Sequence, residues 1–193
     1  MKKHPIIILD GPDNVGKGTQ LALLRKYFTN IPFVITNLDK PVGEGTEEKK
    51  NYGLISIDNQ LKTMVLGAQQ GIPYIADRGH YTEYAYSIFR EAHELQTILD
   101  IEEKYSSEKD IIIGIIFIDD VENISERDDG ESAYSKEDLS NIQQIIDRFI
   151  SHAESSIFET HVINIKEKDI DMVHTEVINI IENKFPHITK KAE

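Results

Sequence analysis

Ile6-Ile7-Ile8-Leu9-Asp10-Gly11-Pro12-Asp13-Asn14-Val15-Gly16-Lys17-Gly18-Thr19 is the stretch on which the fold is read. The apolar head is a strand pattern, the glycines that follow make a tight turn, and Thr19 to Phe28 continues with helical periodicity. A strand that passes through a Gly-x-x-x-x-Gly-Lys turn into a helix is the Walker A arrangement. A glycine-rich turn lets successive backbone N–H groups point inward at phosphate oxygens. The helix starting near Lys17 adds the positive end of its dipole. Lys17 supplies a point charge for the β- and γ-phosphates. Gly11, Asn14, Val15, Gly16, Lys17, Gly18 and Thr19 are therefore the candidate phosphate-binding residues.

Further along the chain, short apolar runs alternate with longer helical patterns. Strands are expected at 5–10, 33–37, 74–76, 111–118 and 161–165, and helices at 47–70, 82–105, 122–126, 135–155 and 170–183, with a frayed tail from Pro186. Ile111 to Ile118 is apolar throughout, the mark of a central parallel strand buried on both faces. Strand–helix alternation of this kind gives a parallel sheet with helices on both faces. No repeat, linker or shift in composition divides the 193 residues, so one domain over 1–193 is expected.

Composition removes several classes of function. There is no cysteine, hence no disulfide, thiolate metal site or thiol nucleophile. No apolar stretch is long enough to span a membrane, and the first apolar run is too short for a signal peptide, so a cytoplasmic protein is expected. The formal net charge of −13 repels polyanions and argues against nucleic acid as a partner. The seven histidines show no metal-ligand spacing and read as surface residues.

A second motif follows the third expected strand: Asp77-Arg78-Gly79-His80-Tyr81-Thr82-Glu83-Tyr84-Ala85-Tyr86. The ends of strands are where open α/β sheets bind ligands. Arg78 has a forked guanidinium suited to bridging two phosphates, with an ion pair to Asp77 as its plainer use. The pattern Asp-Arg-x-x-x-Ser/Thr-x-x-Ala-Tyr resembles the thymidylate kinase family, and Leu9-Asp10-Gly11-Pro12-Asp13-x-x-Gly16-Lys17-x-Thr19-Gln20 resembles that family's phosphate loop. Deoxynucleoside kinases share much of both. The resemblance implies a P-loop NTPase, three-layer α/β/α with a five-stranded parallel sheet of order 2-3-1-4-5 and a short lid at 127–135. It implies ATP and Mg²⁺ as cofactors, small nucleotides as ligands, and a homodimer formed near the Asp-Arg motif, with Tyr84, Ile88 and Phe89 facing either the partner or the core. It also places Asp13 beside the acceptor sugar and the metal's water shell, Tyr86 under a deoxyribose, and Thr82 at the acceptor or at a helix N-cap. Catalysis would fall to Lys17, Arg78, Asp13 and Arg127.

Several positions depart from the family pattern. Gly18 replaces the Ser or Thr that touches Mg²⁺ in most Walker A loops, which points to a mostly water-held ion oriented by Asp10, Asp13 and Asp119 or Asp120. Where an Arg for the acceptor phosphate is usual, the chain has Asp39-Lys40: the lysine suits a monophosphate, the aspartate a nucleoside 5′-hydroxyl needing a base. Asn59 or Gln60 stands where a base-reading Arg is expected, with Tyr52 as the stacking candidate. The lid offers Arg127 alone among carboxylates, with Arg148 as a further cation. The loop at 164–168 is expected to wrap the donor base. The leading expectation is an ATP- and Mg²⁺-dependent kinase of deoxynucleoside monophosphates. The alternatives are a deoxynucleoside kinase and a nucleotide-binding regulatory domain.

Overall fold

A computed structural model describes residues 4–29, 31–38, 46–89, 93–127 and 138–188 (backbone alone over 46–50). Asp39, Lys40 and the lid beyond Arg127 lie outside them. Among the described residues no helix is long and apolar enough to cross a membrane.

The sheet has five parallel strands: β1 (Ile6–Asp10), β2 (Val34–Asn37), β3 (Tyr74–Asp77), β4 (Ile112–Ile118) and β5 (Glu159–Asn164). Their order is β2-β3-β1-β4-β5, as expected. β1 is the centre, pairing Ile6 with Tyr74 on one side and with Ile112 on the other. All five of its side chains are buried, and only the last residue of β4 is partly exposed. Branched apolar side chains on both faces leave these two strands no stable place but the middle of the sheet. β2 and β5, more polar and more exposed, form the edges.

The helices are α1 (Lys17–Tyr27), α2 (Thr46–Gln69), α3 (His80–Tyr86), α4 (Leu95–Glu103), α5 (Val121–Glu126), α6 (Leu139–Ser155) and α7 (Ile170–Lys184). α1 packs with α7, while α3 packs on α6 and α2. The single helix expected over 82–105 is two. α3 ends in a 3-10 turn at Ser87–Phe89, and α4 begins after Glu94, which is extended at φ −69° and ψ 143°. Tertiary bonds hold the break. Ser87 Oγ donates to Tyr84 O at 2.8 Å and accepts from His93 N at 3.1 Å. Arg148 on α6 donates to Tyr84 O, Ser87 Oγ and His93 O at 2.9, 3.0 and 3.0 Å. Its guanidinium also lies 3.8 Å from the Tyr84 ring centre. Arg148 therefore satisfies Tyr84 O and His93 O, on either side of the break, where the sequence offered it as a further cation for the lid. Tyr84, beneath it, is buried in the core.

Two other expectations change. The tail does not fray at Pro186: Pro186–Ile188 forms a 3-10 turn and Ile188 is buried. Nor are all the histidines on the surface, since His80, His93 and His152 are buried. His152 Nε2 donates to Glu102 Oε1 at 2.7 Å, and His80 Nε2 lies 2.9 Å from the same oxygen. Glu102 Oε2 accepts from Ser156 Oγ and Ile157 N at 2.9 and 3.0 Å. Burial opposes the charge of Glu102, but the two imidazoles outweigh it and hold its carboxyl below the usual range. The three donor atoms lie within 4.8 Å of one another. A histidine bound to a metal nearly always gives its second N–H to a partner. Neither Nδ1 here has one among the described residues, so the cluster is a hydrogen-bonded tie between α4 and α6 with a close polar contact to α3.

Candidate active site

The phosphate loop leaves β1 and turns on three positive-φ residues: Gly11 (136°), Asn14 (64°) and Gly16 (81°). Alternating left- and right-handed residues point consecutive N–H groups into one concavity. α1 opens beside it with no side-chain cap and no acidic residue in its first turn, so its positive end is left for an anion. Lys17 is 7 % exposed, and its amine donates to Gly11 O at 3.0 Å and, more closely, to Pro12 O. Burial, reinforced by the neighbouring Arg78 guanidinium, pushes its pKa down from 10.5 to about 7.

Arg78 follows β3 in the left-handed region, at φ 71°. Its Nη1 reaches the same Gly11 carbonyl at 3.4 Å and Thr82 Oγ1 at 3.4 Å, and its Nη2 pairs closely with the Asp13 carboxylate. Asp13 is thus the partner, where the sequence offered Asp77. Burial works against the charge of Arg78, but the carboxylates, Asp13 first, raise its pKa above the ordinary value. The guanidinium carbon stands 5.7 Å from the Tyr86 ring centre, and Tyr86 Oη accepts from Asp13 N at 2.8 Å. Lys17, Asp13, Arg78, Thr82 and Tyr86 therefore meet at the ends of β1 and β3.

On the other side of the loop is a cleft of about 720 Å³, lined by Asn14, Val15, Gly16, Thr19, Gln20 and Arg127, and by Ile165 and Lys168–Val173 apart from Met172. The loop after β5 thus forms one wall. Arg127 donates to Asp119 Oδ2 at 2.6 Å and to Asn14 O at 3.4 Å. Gln20 is a lining residue that the sequence did not single out. It is set by Ile170 O at 3.2 Å and His174 Nδ1 at 3.1 Å, both on α7.

Two candidates fall elsewhere. Asn59 on α2 is exposed. Its neighbour Gln60 turns inward, with Nε2 donating to Arg78 O at 3.1 Å and Oε1 buried without a partner among the described residues. Asp10 is fully buried and surrounded by protein donors, so it has no face for a metal's waters. Asp119 Oδ1 is occupied by Asp120 N and Asn123 Nδ2, and Asp120 pairs with Lys166 at 2.6 Å.

Against known proteins, no family model matches the chain and no curated protein does. Solved structures do match. The thymidylate kinase of Candida albicans covers 96 % of this chain over 94 % of its own, at 19 % identity and TM-score 0.66. That of Ehrlichia chaffeensis covers 92 % over 98 %, at 19 % identity and TM-score 0.67. The chain has the thymidylate kinase fold. YorR of Bacillus subtilis, solved in complex with phosphorylated GDP, shares that fold at 19 % identity and TM-score 0.65, covering 94 % of this chain and 98 % of its own. This chain has a formed cleft on one side of the Gly11–Lys17 loop and the Asp13–Arg78–Tyr86 group on the other.

Proposed function

We propose that the protein is a nucleotide kinase that moves the γ-phosphoryl group of ATP to the phosphate of a deoxynucleoside monophosphate. The observation that carries this reading is the convergence of Lys17 Nζ and Arg78 Nη1 on one carbonyl, that of Gly11. Two cations held side by side, one on the donor loop and one on the acceptor side, suit a phosphoryl group passing between them. Phosphoryl transfer asks for positioning and charge neutralisation rather than covalent help from the protein. The bond between the β-bridging oxygen and Pγ breaks, and an acceptor phosphate oxygen bonds Pγ, giving ADP and a nucleoside diphosphate. Arg127, at the mouth of the cleft, adds a third cation on the donor side.

Mg²⁺ fits as an ion brought in on the ATP phosphates. Asp13, partly exposed, is the carboxylate whose oxygens suit the waters of a hard cation. Bound there, the ion would neutralise phosphate charge. Tyr86, tied to Asp13 N, is placed to pack under the acceptor sugar and to disfavour a 2′-hydroxyl. Gln60 takes the base-reading part, its Oε1, without a partner among the described residues, suiting a base that offers an N–H. Similarity of fold leaves the base open, and one of the fold neighbours was solved with a guanine nucleotide.

The test is ADP release from ATP and Mg²⁺ with a panel of nucleosides and nucleoside monophosphates, including modified bases. Turnover with a deoxy monophosphate that falls steeply but measurably in Arg78→Ala supports the reading. Turnover with nucleosides alone moves the acceptor chemistry to a carboxylate such as Asp39. ATP binding with no acceptor-dependent turnover leaves a regulatory domain.

A further inference from the structure

Asp10 is the last residue of β1, one position before the phosphate loop, and has no solvent exposure. A buried carboxylate is tolerated only when its oxygens are satisfied. Those of Asp10 take four donors. Oδ1 accepts from Gly11 N at 2.9 Å and closely from the Thr82 hydroxyl; Oδ2 accepts from Gly79 N at 2.9 Å and Thr82 N at 3.1 Å. One donor belongs to the phosphate loop and three to the turn that opens α3. That helix has no cap from its own Gly79, so Asp10 caps it from a different strand. Arg78 stands between, left-handed at φ 71°, a conformation that a non-glycine residue keeps only where its surroundings over-determine it. Arg78 N also donates to Leu9 O at 2.9 Å, and Gln60 holds Arg78 O.

We propose that Asp10 is a positioning residue: one carboxylate holds the first amide of the phosphate loop and the turn carrying Arg78 in fixed register, so that the Arg78 guanidinium meets the transferred phosphate beside Lys17. The proposal rests on the reading of this site as a phosphoryl-transfer centre. Asp10 acts through Arg78 and touches neither nucleotide nor metal, because its oxygens are filled by the protein. Asparagine in its place keeps the volume but aims an NH₂ at groups that are themselves donors, and the strut is lost.

The experiment is a double-mutant cycle on kcat/KM for the acceptor, with Asp10→Asn, Arg78→Ala and the double variant, alongside backbone hydrogen exchange of the ligand-free protein. Misplacement of a reacting group by an ångström costs on the order of a hundredfold. Asp10→Asn is expected to lose about that much, and to add no more than about twofold once Arg78 is already gone. The Gly79 amide, which donates to Asp10, is expected to be protected in the wild type and to exchange freely in Asp10→Asn, whereas Thr82 N keeps a second acceptor in Gly79 O at 3.1 Å. Losses that multiply in the double variant, or a variant that melts earlier with acceptor kinetics intact, overturn the proposal. If Asp10→Asn does not fold, Asp10→Glu keeps the charge and displaces the turn by one methylene, with the same kinetic loss expected. Fast exchange of the Gly79 amide in the wild type refutes the strut whatever the variants do. A wild-type protein that phosphorylates no acceptor sinks the proposed function, and hydrogen exchange still decides whether Asp10 anchors the turn.

Discussion

Alanine at three glycines of one loop, Gly11, Gly16 and Gly18, is the same chemical change with three different expected costs. At Gly11 the backbone has φ 136°, and a Cβ would overlap the carbonyl oxygen of Phe117 on β4 and sit 3.2 Å from that residue's carbonyl carbon and nitrogen. The obstacle is backbone of the central strand pair, which no rotamer change can move aside. Overpacking of about 1–3 kcal/mol adds to left-side backbone strain of about 1–2 kcal/mol, a total of roughly 2–5 kcal/mol. At Gly16, φ 81° and ψ 17°, nothing lies within 4 Å of a Cβ, so only the left-handed strain remains, about 1–2 kcal/mol. Gly18 sits in the first turn of α1, with open space around a Cβ and no positive φ. Alanine there gains helix propensity of up to about 1 kcal/mol. Urea unfolding followed by circular dichroism gives the three stabilities, with unchanged slopes as the check that only stability has moved. The order Gly11→Ala well below Gly16→Ala, and Gly18→Ala at or above wild type, is expected. A Gly11→Ala protein as stable as Gly16→Ala would refute the claim that loop and β4 backbone are in contact. A destabilised Gly18→Ala would refute the open space at the head of α1.

Two titrations follow from buried groups. Lys17 has a folded pKa of about 7 against 10.5 when unfolded, so the unfolded chain holds more protons between those values, and the ligand-free protein should gain stability as pH rises from 7 toward 10.5. Lys17→Met should remove that rise, and ATP binding near pH 8 should take up a proton, seen by calorimetry in buffers of different ionisation enthalpy; an unchanged pH slope in Lys17→Met counts against it. His152 is held at about 4, chiefly by burial, against 6.5, so stability should fall as pH drops from 6.5 to 4. His152→Gln should flatten that fall, and denaturation midpoints measured at each pH decide it.

The Gly11–Lys17 loop and the Ile111 to Ile118 strand could be read directly because their signals are local. A turn that needs positive φ calls for glycine where it occurs, and a strand buried on both faces is apolar at every position. Arg78 and Tyr86 were legible as neighbours on a strand end and the helix after it. The break between Ser87 and Leu95 was not, because its carbonyls are satisfied by Arg148 from a helix more than fifty residues away, and periodicity ran on through it. Asn59 and Gln60 were equal choices until the winding of α2 turned one outward and the other toward Arg78.

The sequence by itself determined a parallel α/β chain with a phosphate loop and an arginine at the neighbouring strand end, since backbone conformation and burial pattern are written residue by residue. Only the tertiary structure decided that Asp10 joins that loop to the Arg78 turn, that Asp13 rather than Asp77 takes the arginine, and that His80, Glu102 and His152 meet in the core. Partners such as Asp10 and Thr82, 72 residues apart, share no spacing that a sequence can display. Their bonds exist only once the sheet has set β1 beside β3.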